Sequence, residues 1–321
     1  MTTGEAAPAF REVAIDVSAL ARNVERAVAA LPSDAPRIID LGADAFGCGA
    51  QRVAPIAATH GCTHALVPRV TEVLALVAAN ASLTVVCADP LGDAAATELA
   101  DAGVLIAHRS LAGAQNALSE GANPLAVVLD SGRGTPGITR GELSVLRSAA
   151  SDAGSELLVV DPALVLGAAV FGLDAGDAPS LPLNEAEPVM TLWAPVVGLK
   201  SVGADEGVSY GYRYRTSDST TLALVSLGYA DGLDRAAGNT LDARVGNMTR
   251  TIAGRVAMDA FVLDVGADAS VTVGDRVVVW GDARTGAPDI ADAARRLGTH
   301  SAELATRLTA RPRRSAVGEP S

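Results

Sequence analysis

Chemistry needs nucleophiles, acids and bases, and this chain is short of one kind. Of its 25 Lys and Arg residues a single one is lysine, Lys200, so only one side-chain amine can add to a carbonyl. Arginine is no substitute, because guanidinium stays protonated at neutral pH. Carboxylates are better placed: Asp40, Asp89 and Asp130 close short apolar runs, with Asp44 just beyond the first. Two such groups brought close could share one proton and act as acid and base. The ordinary alternative is that each caps the helix that follows. Cys48 sits in a Gly-rich loop, but no nearby cation or helix start marks it as a lowered-pKa thiol, so a small residue in a tight turn is preferred. His60, His64, His108 and His300 lack metal-ligand spacing, and no metal site is expected. SGRGTPG (131–137) lacks the GK[ST] ending of a phosphate loop.

The elements that must hold these residues follow from the apolar pattern. Runs at 37–41, 64–68, 83–88, 104–108, 125–130 and 157–161 alternate with stretches of helical period such as TEVLALVAANA, where Val73, Leu74, Val77 and Ala78 share a face. Near-continuous apolar strands separated by helices predict a parallel sheet buried on both faces, with its sites at the strand carboxyl ends. A closed eight-unit barrel takes about 250 residues and rarely fewer than about 200. The repeat occupies only residues 37–172, with six strands and a possible seventh in Leu164–Gly172, so the TIM-like barrel is read as incomplete. Residues 173–188, rich in Pro, Gly and Asp, read as a linker. Alternating runs at 189–283 predict a mostly antiparallel β domain, followed by a short helix at 288–297 and a mobile tail. The domains are thus 1–172, with residues 1–16 open to joining the β domain, and 189–321.

Composition narrows the function. The 321 residues are 49% hydrophobic and 19% charged, enough for two packed domains and too apolar for bulk disorder. No apolar run reaches the roughly 20 residues of a membrane helix. The opening MTTGEAAPAFREV lacks the order of a signal peptide, which points to a cytoplasmic protein. Three cysteines without a CxxC pair argue against a disulfide framework. A formal charge of −12 makes nucleic acid a poor partner.

Four strings in the second half, VSYG (Val208–Gly211), GYADG (Gly228–Gly232), GRVAMD (Gly254–Asp259) and GDRVVVWG (Gly274–Gly281), in this order, resemble the C-terminal domain of alanine racemase, a fold-type III pyridoxal-phosphate enzyme that supplies D-alanine for peptidoglycan. Glu12–Asn23, Ala43–Gly49, Leu129–Gly137 and Leu164–Gly172 resemble, more faintly, parts of the family's barrel. The resemblance implies a (β/α)8 barrel with an appended β domain, assembled as a head-to-tail dimer in which one subunit's barrel meets the other's β domain.

The resemblance then divides the site in two. The family's cofactor lysine falls at Gly42, its phosphate-contacting tyrosine at Phe46 and the following histidine at Cys48. A strand-end lysine falls at Val128, the substrate-carboxylate arginine at Thr135, the arginine facing the pyridine nitrogen at Val165, and a second phosphate-contacting tyrosine at Ala302. Arg133, two positions before Thr135, is the one cation left there to attract a carboxylate. In contrast, Tyr210 matches the base lent across the dimer, and Tyr229, Asp231, Met258 and Asp259 match residues at the substrate entrance. Retention of Tyr210 and Met258 for dimer packing alone explains them about equally well.

Three functions are therefore open. The preferred one is a racemase homologue that has lost pyridoxal-phosphate chemistry, with no cofactor expected, pairing as a homodimer or as a heterodimer in which it lends Tyr210 to a true racemase. The second is an active racemase, and the third a binding module or cofactor-free enzyme in the remodelled barrel.

Overall fold

A computed structural model describes residues 10–79, 82–88, 98–178, 181–267 and 270–318. The chain divides into two compact units: one joins residues 1–19, 172–176 and 187–319, the other residues 20–171, 177–186 and 320–321.

The first unit is built on an eight-stranded sheet. β1 (Glu12–Asp16) pairs antiparallel with β8 (Met190–Val202), whose 13 residues serve two sets of neighbours. Its first half pairs with β1 and β15 (Arg276–Trp280), and its second half with β11 (Thr220–Val225). β12 (Asp242–Val245) and β13 (Met248–Thr251) extend the β15 side, and β14 (Phe261–Asp264) pairs with β11. The short ribbon β9 (Gly207–Val208) with β10 (Tyr214–Arg215) stands apart. The helix expected over 288–297 runs Ile290–Leu297: Asp289 caps it through Ala291 N–H at 3.0 Å, and Gly298 ends it left-handed. A second helix, Ser301–Thr306, was not anticipated. Within the tail, Arg313–Val317 is β16, parallel to β1 with Ala14 opposite Ser315. An edge strand supplied by a distant partner has no period of its own in the sequence, so its Arg-rich run gave no strand signal.

The second unit opens with α1 (Val17–Ala30), of which Val17–Ala19 are grouped with the first. Six parallel strands follow in sequence order: β2 (Ile38–Asp40), β3 (His64–Val67), β4 (Thr84–Cys87), β5 (Leu105–His108), β6 (Leu125–Val128) and β7 (Leu157–Val160). Between them lie α2 (Ala50–Thr59), α3 (Val70–Ala78), α4 (Leu111–Ser119) and α5 (Arg140–Asp152). The sheet curls into a half-barrel, since Ile38 of the first strand shares one core with Ala126 and Val160 of the last two. On the opposite face Leu125 and Val127 meet Leu143 and Leu146 of α5, so these strands are covered on both sides, which is why they read as unbroken apolar runs. Thr139 and Glu142 form a reciprocal capping box that starts α5. The possible seventh strand reduces to a bridge, Leu166 beside Ile39, followed by a 3₁₀ turn over Ala168–Phe171. In α3 the buried residues are Val73 and Leu76 rather than the face through Val77 and Ala78.

Candidate functional site

In the sheet unit, three of the four motifs of the second half, VSYG, GYADG and GRVAMD, converge. Ser209 donates to the Arg255 carbonyl at 2.6 Å, Tyr229 N–H to Ala257 and Ala230 N–H to Met258, both at 3.0 Å. Gly228 makes this possible, because a Cβ there would lie 2.3 Å from the Met258 carbonyl oxygen. The result is one surface with Tyr210, Tyr212, Tyr229 and Met258 exposed on it; Tyr210 is 69% exposed. Beneath them Asp231 is fully buried and accepts from Arg11 Nη1 on both carboxylate oxygens at 2.8 Å. Its Oδ2 also takes the Gly228 N–H at 2.8 Å, and Arg311 Nε lies 3.3 Å from Oδ1. Asp231 is thus the internal strut of the loop. Asp259, by contrast, is exposed and pairs with Arg311 at 2.5 Å. Neither arginine carried a local signal: the Arg11 partner lies 220 positions away.

In the half-barrel unit, a pocket of about 320 Å³ opens at the carboxyl ends of the strands. Asp40, Val128, Thr135 and Val165, singled out separately from the sequence, line it together with Arg133, Ser131 and Arg109. Arg109 was missed, although it directly follows a strand end where parallel folds place their sites. Its Nε donates to the Ala88 carbonyl at 2.6 Å and its Nη1 to Pro136 at 3.2 Å. Burial pushes the Asp40 carboxyl above the usual range; the Gly42 N–H at 2.8 Å opposes this and the Glu72 carboxylate adds to it.

The other strand-end aspartates are occupied locally. Asp44 accepts from Ala50 N–H at 2.8 Å, Asp130 from Gly132 N–H at 2.7 Å and Asp161 from Ala163 N–H at 3.0 Å. Asp89 lies outside the described residues. Cys48 is fully buried, and burial pushes the Cys62 thiol up to about 12 with Arg37 opposing, so neither is poised to react. Burial also pushes His64 and His108 below their ordinary value. Among the described residues no group of three or more His, Cys, Asp or Glu could hold a metal, and no helix is long and apolar enough to cross a membrane.

Gly42 is buried, and a Cβ there would lie 2.9 Å from Pro68 Cδ and 3.0 Å from Asp40 Oδ1. Just after it, Ala43, Asp44, Ala45 and Phe46 form a left-handed turn at φ of 52–55°. Phe46 anchors the turn on Phe171, ring centroids 5.1 Å apart. Lys200 projects from β8 in the other unit and Ala302 is buried in the helix 301–306.

Comparison with known proteins matches both units. The family model described as alanine racemase, N-terminal domain, matches residues 15–157, and the one described as alanine racemase, C-terminal domain, residues 189–316. An alanine racemase of Thermobifida fusca is 47% identical over 152 residues, covering 47% of this chain. That match spans only 40% of the relative's own length. A solved alanine racemase from Streptomyces coelicolor has a TM-score of 0.80 at 26% identity, covering 98% of this chain and 99% of that one. One from Bartonella henselae, with TM-score 0.78 and 19% identity over 97% of this chain and all of that one, is described with covalently bound pyridoxal phosphate. The expectation that this chain carries no cofactor is thereby corrected: a relative of the same fold is described with covalently bound pyridoxal phosphate. Residue 42, where the resemblance places the cofactor lysine, is glycine, and a Cβ there would lie 2.9 Å from Pro68 Cδ.

Proposed function

Because the chain belongs to the alanine racemase family, we propose that it acts as a racemase-like subunit that no longer racemises alanine in its own half-barrel and presents Tyr210 to the barrel of a second chain. One observation carries this reading. Glycine at position 42, close to Pro68, stands where the family resemblance places an imine-forming lysine, while Tyr210 stands exposed on a surface built from VSYG, GYADG and GRVAMD. In relatives pyridoxal phosphate supplies the electron sink, and the protein supplies acid and base on either side of the substrate. An exposed phenol on a loop tied down through Ser209 can serve that second role at a neighbour's site. Ser209 ties this loop to the Arg255 carbonyl of GRVAMD, which Tyr229 and Ala230 in turn tie to GYADG. The partner is then a genuine alanine racemase or, for packing alone, a second copy of this chain.

Co-expression of this chain with an alanine racemase, each carrying a different tag, tests the proposal. A mixed dimer with one active site in place of two is the expected product. Recovery of only homodimers or monomers overturns the lending role. Turnover of L-alanine by the isolated chain would instead support the alternative of an active racemase.

A further inference from the structure

One face of the sheet in the first unit carries a trough of about 650 Å³, lined from β1, β8, β12 and β15, that the proposed function leaves unused. Strand register sets its chemistry. Arg244 of β12 stands opposite Val278 of β15, and Arg276, two residues before Val278, projects on the same face. Such diagonal neighbours lie about 7–8 Å apart, near enough for two guanidinium groups to reach one ligand. Each is held by something other than a carboxylate. Arg244 donates from Nε to the Gly246 carbonyl at 2.9 Å and from Nη1 to the Thr285 carbonyl. Arg276 lies over the Trp193 ring, 4.6 Å from its centroid.

The carboxylates of the trough are already engaged. Asp16 accepts from the Ala19 N–H at 2.9 Å, Asp275 from the Thr272 N–H at 2.8 Å, and Asp282 pairs with Arg284 at 2.8 Å. Among the described residues neither Arg244 nor Arg276 forms an ion pair, in a chain with a formal charge of −12. Burial pulls the Arg276 guanidinium below its ordinary value, and Glu12, the carboxylate that opposes this, accepts from the Ser315 hydroxyl. A cation drawn out of water without a counter-charge costs free energy, and an anion from solution offsets that cost.

We propose that this trough binds a small organic dianion, a phosphate monoester or a dicarboxylate, gripped between Arg244 and Arg276. A guanidinium already fixed by stacking or by carbonyl bonds loses little freedom on meeting paired oxygens. Ala14, Val189, Val278 and Val317 offer apolar wall to the ligand's carbon body. Gly286 keeps Arg244 in place from the far side, since a Cβ there would run into Arg244 Nη1. All these residues belong to the sheet unit, so the site stands whether or not the chain lends Tyr210 to a partner.

The test is calorimetric titration of the full chain with glycerol phosphate and with glutarate in separate arms. Saturable binding is expected, and the arm that shows the tighter binding assigns a phosphate or a carboxylate ligand. Arg244→Gln and Arg276→Gln are each expected to weaken it by at least about 10-fold, and Arg147→Gln, on the exposed side of α5 in the other unit, to leave it unchanged. Should either variant not fold, phenylglyoxal modification of Arg244 and Arg276 in the parent protein, read by mass spectrometry, is expected to be slowed by the same anion. No saturable binding in either arm overturns the proposal. So does an affinity unchanged in either folded variant, or modification of the two arginines that the anion does not slow.

Discussion

Asp231 shows how a residue expected at a substrate entrance can have a different task. Its carboxylate is fully buried, held by Arg11 and close to Arg311, and it closes the GYADG turn through the Gly228 N–H. Removing one partner of such a pair leaves a buried charge uncompensated, at a cost of roughly 3–5 kcal/mol. Asp231→Asn is expected to lower stability toward that range in urea denaturation; a loss under about 1 kcal/mol would contradict the strut role. Asp40 makes a pH-dependent prediction. Its folded pKa lies above its ordinary value of 3.8, so the native state holds the proton more tightly than the unfolded chain does. The stability it contributes is therefore fully present below 3.8 and is lost as pH rises through the raised value. Asp40→Asn keeps an acceptor for the Gly42 N–H but cannot ionise. It is expected to be more stable than the parent at pH 7 and to lose that advantage below the ordinary carboxylate range. Equal differences at both pH values would refute the account.

Among the elements, the left-handed turn after Gly42 stands out. Four consecutive non-glycine residues at φ of 52–55° each bear the clash of Cβ with backbone that makes L-residues avoid this region. Phe46 on Phe171 and Asp44 on the Ala50 N–H hold the turn in place. Ala43 is exposed, so its methyl packs little while it adds strain. Ala43→Gly is expected to raise stability by about 1 kcal/mol, the reverse of the usual effect of Ala→Gly in a helix. Thermal denaturation of the two proteins decides the sign. Nothing in the run ADAFGCG foretells this conformation, because three of its four left-handed residues are alanine or phenylalanine rather than the Gly or Asn that ordinarily mark it.

For the whole molecule, the proposed function assigns the two units different halves of one chemistry. The sheet unit keeps every motif that presents Tyr210, and the half-barrel lacks an amine at position 42. The functional consequence belongs to an assembly, so it is tested in one. A racemase variant stripped of its own lent tyrosine is expected to regain activity when mixed with this chain. Mixing with the Tyr210→Phe form is expected to restore none. Rescue by both forms, or by neither under conditions where the two chains co-purify, would argue that the surface serves packing alone.

The strand pattern made six buried parallel strands and an alternating β domain readable before any coordinates, because strand period and two-sided burial are local properties of the chain. The motifs GYADG and GRVAMD were equally readable, since close backbone approach at Gly228 demands glycine wherever it occurs. Other features depend on partners far apart in the sequence. Arg11 finds Asp231 across 220 positions, and the Arg-rich tail becomes a strand only because β1 offers it an open edge. Arg109, Arg133 and Asp40 become one pocket only because the sheet curls. Folding alone brings such residues together, and a linear pattern cannot encode a distance it does not contain.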